Sequence, residues 1–520
     1  MDPDGAVVAL ARDKIDAEIA VLKERIRALH TKRNRLSPIS RFPPEVMTQI
    51  FLWFQQQYLG QFYSKRYLPS DYRKWIVVTH VSQRWRQIAL SSKSLWNIIP
   101  IRWLTYATES FNRLGSMPIF LVGSGCPSGE DYLALWMLIA TECHRIRFIR
   151  GVVGSTVQNF SQPMPLLEHV EIPSRCELSP SIISPSLRTL VLSQCNFTWD
   201  WPALPHLTTL EISEPTQKVA FRSFLDILHN SPHLEHLTIQ NIFPASTSAD
   251  QPDDFKPVQF YSLLPTLSSL HAAETQFSLG LLSCLTFTDR FKLHITDLGP
   301  ITMDSVPRLM QVLSLILRQS SMTIRRVALS YARAYSAHIC LSLQEGLTGD
   351  NPFIKLTFDP RPPGERDASL CVKHLSLLPL NEMEKFTTDL ITKSVRWKEC
   401  GLGQLPNLRS IETLSMEKPF LEHICEDYEE FKLSHGQGSL SFSSLQELKM
   451  NSLHFGRDLK YTVCAALAGR EKAGCRLKKL VISAGEVSED SVKQLMRYID
   501  EVQIPASAIT KTKSRRIGST

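Results

Sequence analysis

A short apolar row recurs along most of this chain and constrains its fold more than any other feature. The form is L-x-x-L-x-L with apolar substitutes, at Leu167/Val170/Ile172, Leu187/Leu190/Leu192, Leu207/Leu210/Ile212 and Leu234/Leu237/Ile239. It returns at Ile324/Val327/Leu329, Phe353/Leu356/Phe358, Val372/Leu375/Leu377, Leu445/Leu448/Met450 and Leu477/Leu480/Ile482. Weaker copies stand around Ile146/Phe148, Leu267/Leu270, Leu293/Ile295 and Leu408/Ile411. A second signal, Pro-x-Leu-x-x-apolar with the Leu sometimes doubled, overlays the first from Pro165, Pro185, Pro205, Pro232, Pro265 and Pro406. Proline cannot continue a preceding helix and pushes the residue before it to extended geometry, so each copy reads as a turn into a short strand. No copy can bury its own row. Neighbours must stack into a continuous core, with a parallel sheet on one side and helices or loops outside. A closed α/β domain with similar short strands is the alternative.

The spacing and pattern resemble leucine-rich repeats. The resemblance is clear in 165–240 and degenerate in 245–440, and it implies an irregular leucine-rich-repeat solenoid, a horseshoe, over 104–500. The longer gaps hold helical stretches: Phe221, Phe224, Leu225 and Leu228 form one apolar face, and Met310, Leu313 and Leu317 another. Ser488-Glu489-Asp490 reads as a helix start, with Val492, Leu495, Met496 and Ile499 as the apolar side of a helix that would cap the array. In such strands the apolar residues point inward and their neighbours outward. That places His169, Glu171, Thr189, Glu211, His236 and Thr238 on one outward ladder, and Glu447, Lys449, Lys479 and Val481 on a later one. Ladders of this kind bind protein partners in repeat proteins; each residue is equally explained as a solvated strand face.

A different pattern precedes the repeats. It reads Phe42-Pro43-Pro44-Glu45-Val46, then Gln49-Ile50-Phe51, then Val81-Ser82-Gln83-Arg84-Trp85-Arg86, then Ser94-Leu95-Trp96. Pro43 and Pro44 suit a first helical turn, where the missing N–H is not needed. Glu45 sets negative charge near the positive end of the helix dipole. Val46, Ile50 and Phe54 share one helical face, with Met47 and Phe51 as a second strip beside it. Val78, Val81, Trp85 and Ile88 form a further helical stripe, closed by Leu95 and Trp96. Five of the nine Trp residues (Trp53, Trp75, Trp85, Trp96, Trp103) fall in this region. They serve either the module's own small core or a partner's surface.

In this order the motifs resemble an F-box, the helical module that docks a substrate receptor onto the adaptor of a cullin-type ubiquitin ligase. Phe42 stands where the family usually has Leu. The stretch Gln55–Lys74 is longer than the module needs and is expected as a loop insertion between its first two helices. The resemblance implies that Phe42, Pro43, Pro44, Glu45, Val46, Ile50, Phe51, Val81, Trp85 and Trp96 bind a Skp-type adaptor and, through it, a cullin. It further implies that changing Pro44 and Phe51 to polar residues abolishes docking without unfolding the chain.

Ahead of the module, Ile15, Ile19, Leu22, Ile26, Leu29 and Leu36 form a heptad seam. The helix that carries it either lies along the F-box or self-associates weakly through residues 13–36. Charge is localised: residues 23–35 hold six basic side chains against one acid and Lys511–Arg516 four, so without these runs the net charge of +7 becomes about −2. A near-neutral body builds no broad positive field for nucleic acid. The C-terminal run reads as a solvated end or a weak nuclear address. No apolar run approaches the ~18 residues a membrane helix needs. The opening Met1-Asp2-Pro3-Asp4-Gly5 is no secretory signal. The eleven Cys residues form no C-x-x-C pair, which fits reduced thiols in the cytoplasm or nucleus.

Catalytic and metal patterns are weak. His229, His233 and His236 have metal-like spacing, but Pro232 keeps them off a common helical face. Gly123–Gly129 lacks a phosphate-binding spacing and reads as a turn into a Tyr132–Ala140 helix. Asp250, Asp253 and Asp254 read as solvated loop acids. No cofactor, metal or active site is expected. The chain is therefore expected to be α/β: an N-terminal helix (1–37), a small all-α F-box-like module (38–103), the solenoid (104–500) and a basic tail (501–520). The expected function is target recognition within a ubiquitin ligase of the SCF type, the target being an unknown protein held on the repeats. A scaffold or regulatory receptor that promotes no ubiquitin transfer is the alternative.

Overall fold

A computed structural model of the chain describes residues 3–64, 72–101, 103–123, 130–151, 162–172, 175–244, 267, 269–273, 278–285, 287–296, 305–332, 338–346, 352–358, 371–388, 401–413, 417–433, 440–454, 457–505 and 509–510. The glycine-rich loop 124–129, the acids at 250, 253 and 254 and the basic run 511–516 lie outside the described residues. The chain divides into two compact units: Met1–Leu204 with Pro215–Gln217, and Pro205–Glu214 with Lys218–Thr520.

The first unit opens with helix α1 (Pro3–Arg35), whose last turn carries Lys32, Arg33 and Arg35 at the negative end of its dipole. Pro38–Arg41 forms a short 3-10 turn, followed by α2 (Pro44–Ser64) with Glu45 in its first turn. The Gln55–Lys74 stretch is thus not a loop insertion: α2 runs on to Ser64, and a 3-10 helix begins at Tyr72. That 3-10 helix ends at His80, and α3 (Gln83–Ser91) starts afresh at Ser82, whose hydroxyl caps the Trp85 amide. Val78, Val81, Trp85 and Ile88 therefore do not share one helix. Next come β1 (Ile98–Pro100), α4 (Leu104–Leu114), β2 (Ile119–Val122), α5 (Glu130–Thr141), β3 (Ile146–Arg150), β4 (His169–Ile172) and β5 (Thr189–Ser193). These five strands pair in parallel in chain order.

The second unit begins with β6 (Thr209–Ser213), α6 (Phe221–His229), β7 (His236–Gln240), β8 (Ser269–Ala273), α7 (Ser278–Cys284), β9 (Lys292–Thr296) and α8 (Ser305–Gln319). There follow β10 (Arg326–Ala332), β11 (His338–Gln344), β12 (Ile354–Phe358), β13 (Lys385–Thr388) and β14 (Ser410–Thr413). It ends with α9 (Glu417–Leu433), β15 (Glu447–His454), α10 (Arg457–Lys472), β16 (Leu477–Ser488), α11 (Glu489–Leu495), β17 (Ile499–Gln503) and β18 (Ile509–Thr510).

This is a mixed α/β chain with large parallel sheets, not the leucine-rich-repeat horseshoe that the repeat pattern implies. The strand order overturns that expectation. β6 to β9 pair in parallel in sequence, but β9 then takes β12 as its parallel neighbour. β12 pairs antiparallel with β11, β11 antiparallel with β10, and β10 parallel with β13. From β13 to β17 the parallel order resumes. A repeat array joins each copy to its sequence neighbours; here β10 to β12 enter in reverse.

The rows themselves are buried as the alternation requires. Val170, Leu190, Leu210, Leu237, Leu270 and Leu293 are all core residues. Val372/Leu375/Leu377 is no strand, because Leu375–Leu377 is 3-10 helix and the strand comes later at Lys385–Thr388. α11 does start at Ser488, which caps the Ser491 amide, but it does not end the unit: β17 extends the sheet beyond it and Met496 is exposed. Cys176 and Cys195, both buried, bring their thiols to 3.5 Å, a proximity their spacing did not announce.

Candidate docking surface on the amino-terminal helices

α2 divides its apolar residues between two faces. Met47 and Phe51 point into the module, Phe51 being 1% exposed, against Trp85 at a ring separation of 5.1 Å. One turn on, the buried Gln55 amide donates to the Tyr72 hydroxyl and the Leu95 carbonyl, each at 2.9 Å. Trp75 donates to the Tyr106 hydroxyl at 3.2 Å and packs edge-on against Trp96 at 5.4 Å. Trp96 in turn donates to the Ala89 carbonyl at 2.9 Å. Burial pushes the Tyr106 hydroxyl up to about 12 and Tyr72 well above its ordinary value, so both stay protonated hydrogen-bonding groups at any working pH. The module's core therefore continues into α4 and shows no break at residue 103.

The other face of α2 is open. Val46, Ile50 and Trp53 lie at i, i+4 and i+7 and are 42%, 38% and 64% exposed. Phe42, Pro43, Pro44 and Glu45 are exposed at the same end. Arg84 donates to the Phe42 carbonyl, which ties the start of α3 to the start of α2, and Thr48 and Ser92 share a hydrogen bond of 2.8 Å. Val81, just before α3, is also exposed, and Trp85 is half-buried. Of the ten residues implied by the F-box resemblance, Phe51 and Trp96 are thus interior, Trp85 is at the boundary, and Phe42, Pro43, Pro44, Glu45, Val46, Ile50 and Val81 face solvent. Because Phe51 is core, the Pro44–Phe51 pair cannot separate docking from folding. Sequence reading missed Trp53, whose signal was its place seven residues after Val46; Phe54, assigned to that face, is half-buried beside Tyr58.

The outward ladders split between the units. In the first, His169 lies opposite Thr189 and Glu171 opposite Val191. His169 stacks on Phe148 at 4.3 Å, and Phe148 lies 5.7 Å from Phe120, so an aromatic row crosses β2, β3 and β4. Arg150 pairs with Glu171 at 2.8 Å. Burial acts to raise the Glu171 carboxyl, but His169 and the Arg150 guanidinium outweigh it and hold it below the usual range. In the second unit Glu211 lies opposite Thr238, while His236 faces Thr209 and Ser269. His229 ends α6 and His236 sits in β7; among the described residues no three His, Cys, Asp or Glu side chains are placed to hold a metal ion.

The later ladder is charged. Glu412 on β14 accepts from Lys385 of β13 at 3.0 Å and from Lys449 of β15 at 2.6 Å. Burial pushes the Glu412 carboxyl up, yet the two ammonium groups prevail and hold it below its ordinary value. A depressed folded-state value gives stability that is present above the unfolded value, about 4.3 for Glu, and is lost as pH falls through the folded one. Glu412→Gln is therefore expected to weaken the second unit at neutral pH and to flatten its loss of stability on acidification. Denaturant midpoints of wild type and variant between pH 7 and pH 3 measure this.

Among the described residues no helix is long and apolar enough to cross a membrane. No protein-family model matches the chain, and no curated protein matches it.

Proposed function

We propose that this chain is the target-recognition subunit of an SCF-type ubiquitin ligase. The open face of α2 would bind a Skp-type adaptor and the outward faces of the parallel sheets a target protein. The observation that carries this reading is the division of α2. Its inner strip already fills a core with Trp75, Trp85 and Trp96, while Val46, Ile50 and Trp53 remain uncovered beside Phe42 and the two prolines. Aromatic and aliphatic side chains grouped on a rigid helix, with a polar surround, are what a protein interface needs at its centre. The order of motifs from Phe42 to Trp96 supports an adaptor as the occupant.

In this role the chain performs no bond chemistry. It holds a target near the transfer machinery on other subunits, and proximity raises the effective concentration of a target lysine. The tagged full-length chain is expected to co-purify with a Skp-type adaptor and a cullin, and a target's lifetime is expected to lengthen when the chain is deleted. Absence of adaptor from the purified chain refutes the reading. Adaptor binding without any target of altered lifetime would favour a regulatory receptor instead.

A further inference from the structure

α1 presents its apolar seam to solvent along its length. In a heptad frame Ile15, Leu22 and Leu29 take position d, Ile19 and Ile26 take a, and Arg12 and Arg33 hold the a positions at the two ends. Every one of these side chains is exposed. Within its unit α1 packs chiefly on the turn Pro38–Arg41 that follows it, not along α2 or α3. Helices in proteins draw most of their stability from packing such a face, which in this helix has no cover.

The flanks of the seam say what would cover it. Asp16 and Lys23 take position e, and Glu18 and Arg25 take g, so charges of both signs border a strip only two residues per heptad wide. A membrane-surface helix needs a broad apolar face, whereas a narrow a/d strip fits another helix. We infer that α1 pairs with α1 of a second copy as a parallel, in-register, two-stranded coiled coil. β-branched Ile at a with Leu at d favours two parallel strands. Parallel pairing in register sets Glu18 of each copy beside Lys23 of the other, two opposite-charge contacts by symmetry. Arg12 and Arg33 would meet their own copies at the ends of the seam. There a dimer lets their charged heads reach water, while a larger bundle would bury them. These like-charge ends confine the apolar contact to Ile15–Leu29 and keep the dimer weak.

The orientation matters because α1 leads directly into α2. Parallel pairing carries both copies of the open α2 face at one end of the coil. An antiparallel pair would separate them by the length of the helix, roughly 50 Å. The pairing itself does not depend on what α2 binds.

Sedimentation equilibrium of the full-length chain tests it. The wild type is expected to shift from monomer to dimer across roughly 1–100 μM. Ile19→Asp with Ile26→Asp should leave a monomer at every concentration while the two α/β units keep a cooperative circular dichroism melt. Lys23→Glu sets like charges against Glu18 and should raise the dissociation constant roughly three- to ten-fold. Combining it with Glu18→Lys should restore wild-type association. A chain that stays monomeric, a dimer that survives the two Asp substitutions, or a charge swap that fails to recover each overturns the proposal. So does binding of the monomer to anionic phospholipid vesicles through this seam.

Discussion

Replacing Val46 and Ile50 with Asp is expected to abolish retention of a Skp-type adaptor and leave the chain folded. Both side chains are exposed on α2, and neither belongs to the Met47–Phe51 strip beneath. Surface substitutions away from caps and cores cost within about 0.5 kcal/mol of stability. Buried apolar anchors at an interface are worth about 2 kcal/mol each, so losing two weakens binding on the order of a thousand-fold. Phe51→Ala is the contrasting variant. It removes a fully buried ring packed at a tilt against Trp85 and should cost about 3–5 kcal/mol, so its loss of docking would follow from unfolding. Pull-down of adaptor and a thermal melt on the same preparations separate the two outcomes. Undiminished adaptor binding by the double Asp variant would remove the proposed surface.

Arg470→Met is expected to destabilise the second unit by about 1–3 kcal/mol. Arg470 lies on α10, is 2% exposed, and donates to the carbonyls of Ser441 and Phe442 at 3.0 and 2.6 Å. From α9, Asp427 accepts from the Ser441 amide and hydroxyl, each at 2.8 Å. Two helices thus hold one turn from opposite chemical ends, and Phe442 keeps a left-handed backbone (φ 56) there. Met fills the space but takes the guanidinium donor from the Ser441 carbonyl, while the Phe442 carbonyl keeps the Leu445 amide at 3.0 Å, and the loss at Ser441 is the expensive part. Lys is expected to rescue only in part, since one ammonium does not reproduce a planar fork reaching two acceptors. Gly469, the neighbouring residue, has no room for a Cβ against the Tyr428 ring, so α9 and α10 approach closely at this point. Urea midpoints for Arg470→Met, Arg470→Lys and wild type measure the order.

Which residues face the core was legible from the sequence because alternation in a strand is a local property. The rows at Val170, Leu190, Leu210 and Leu237 sit where the pattern put them. Which strand lies beside which was not legible. Leu356 and Val327 carry the same row whether they meet the preceding strand or one far along the chain, and nothing in His338–Gln344 marks it as the strand that runs the other way. The misread row at Val372 has a specific cause. The strand that follows it uses Met383 and Phe386 and then Thr388, a buried polar residue where the pattern demands an apolar one. Thr388 lies opposite Thr413, also buried, so two adjacent strands share the exception. On α2 the apolar spacing marked a helix with two strips, but short helical spacing could not say which of them a core would claim.

The reversed insertion has a kinetic consequence. β6 to β9 can each add to the strand made just before, and so can β13 to β17, because in both runs the next neighbour is the next strand in the chain. β9 has to wait for β12, and β10 for β13, across long stretches of intervening chain whose closure must precede any reward in contacts. Assembly of this unit is therefore paced by two long-range meetings at its middle, and a chain emerging from the ribosome cannot cover the edge at Leu293 until Ile354 has followed.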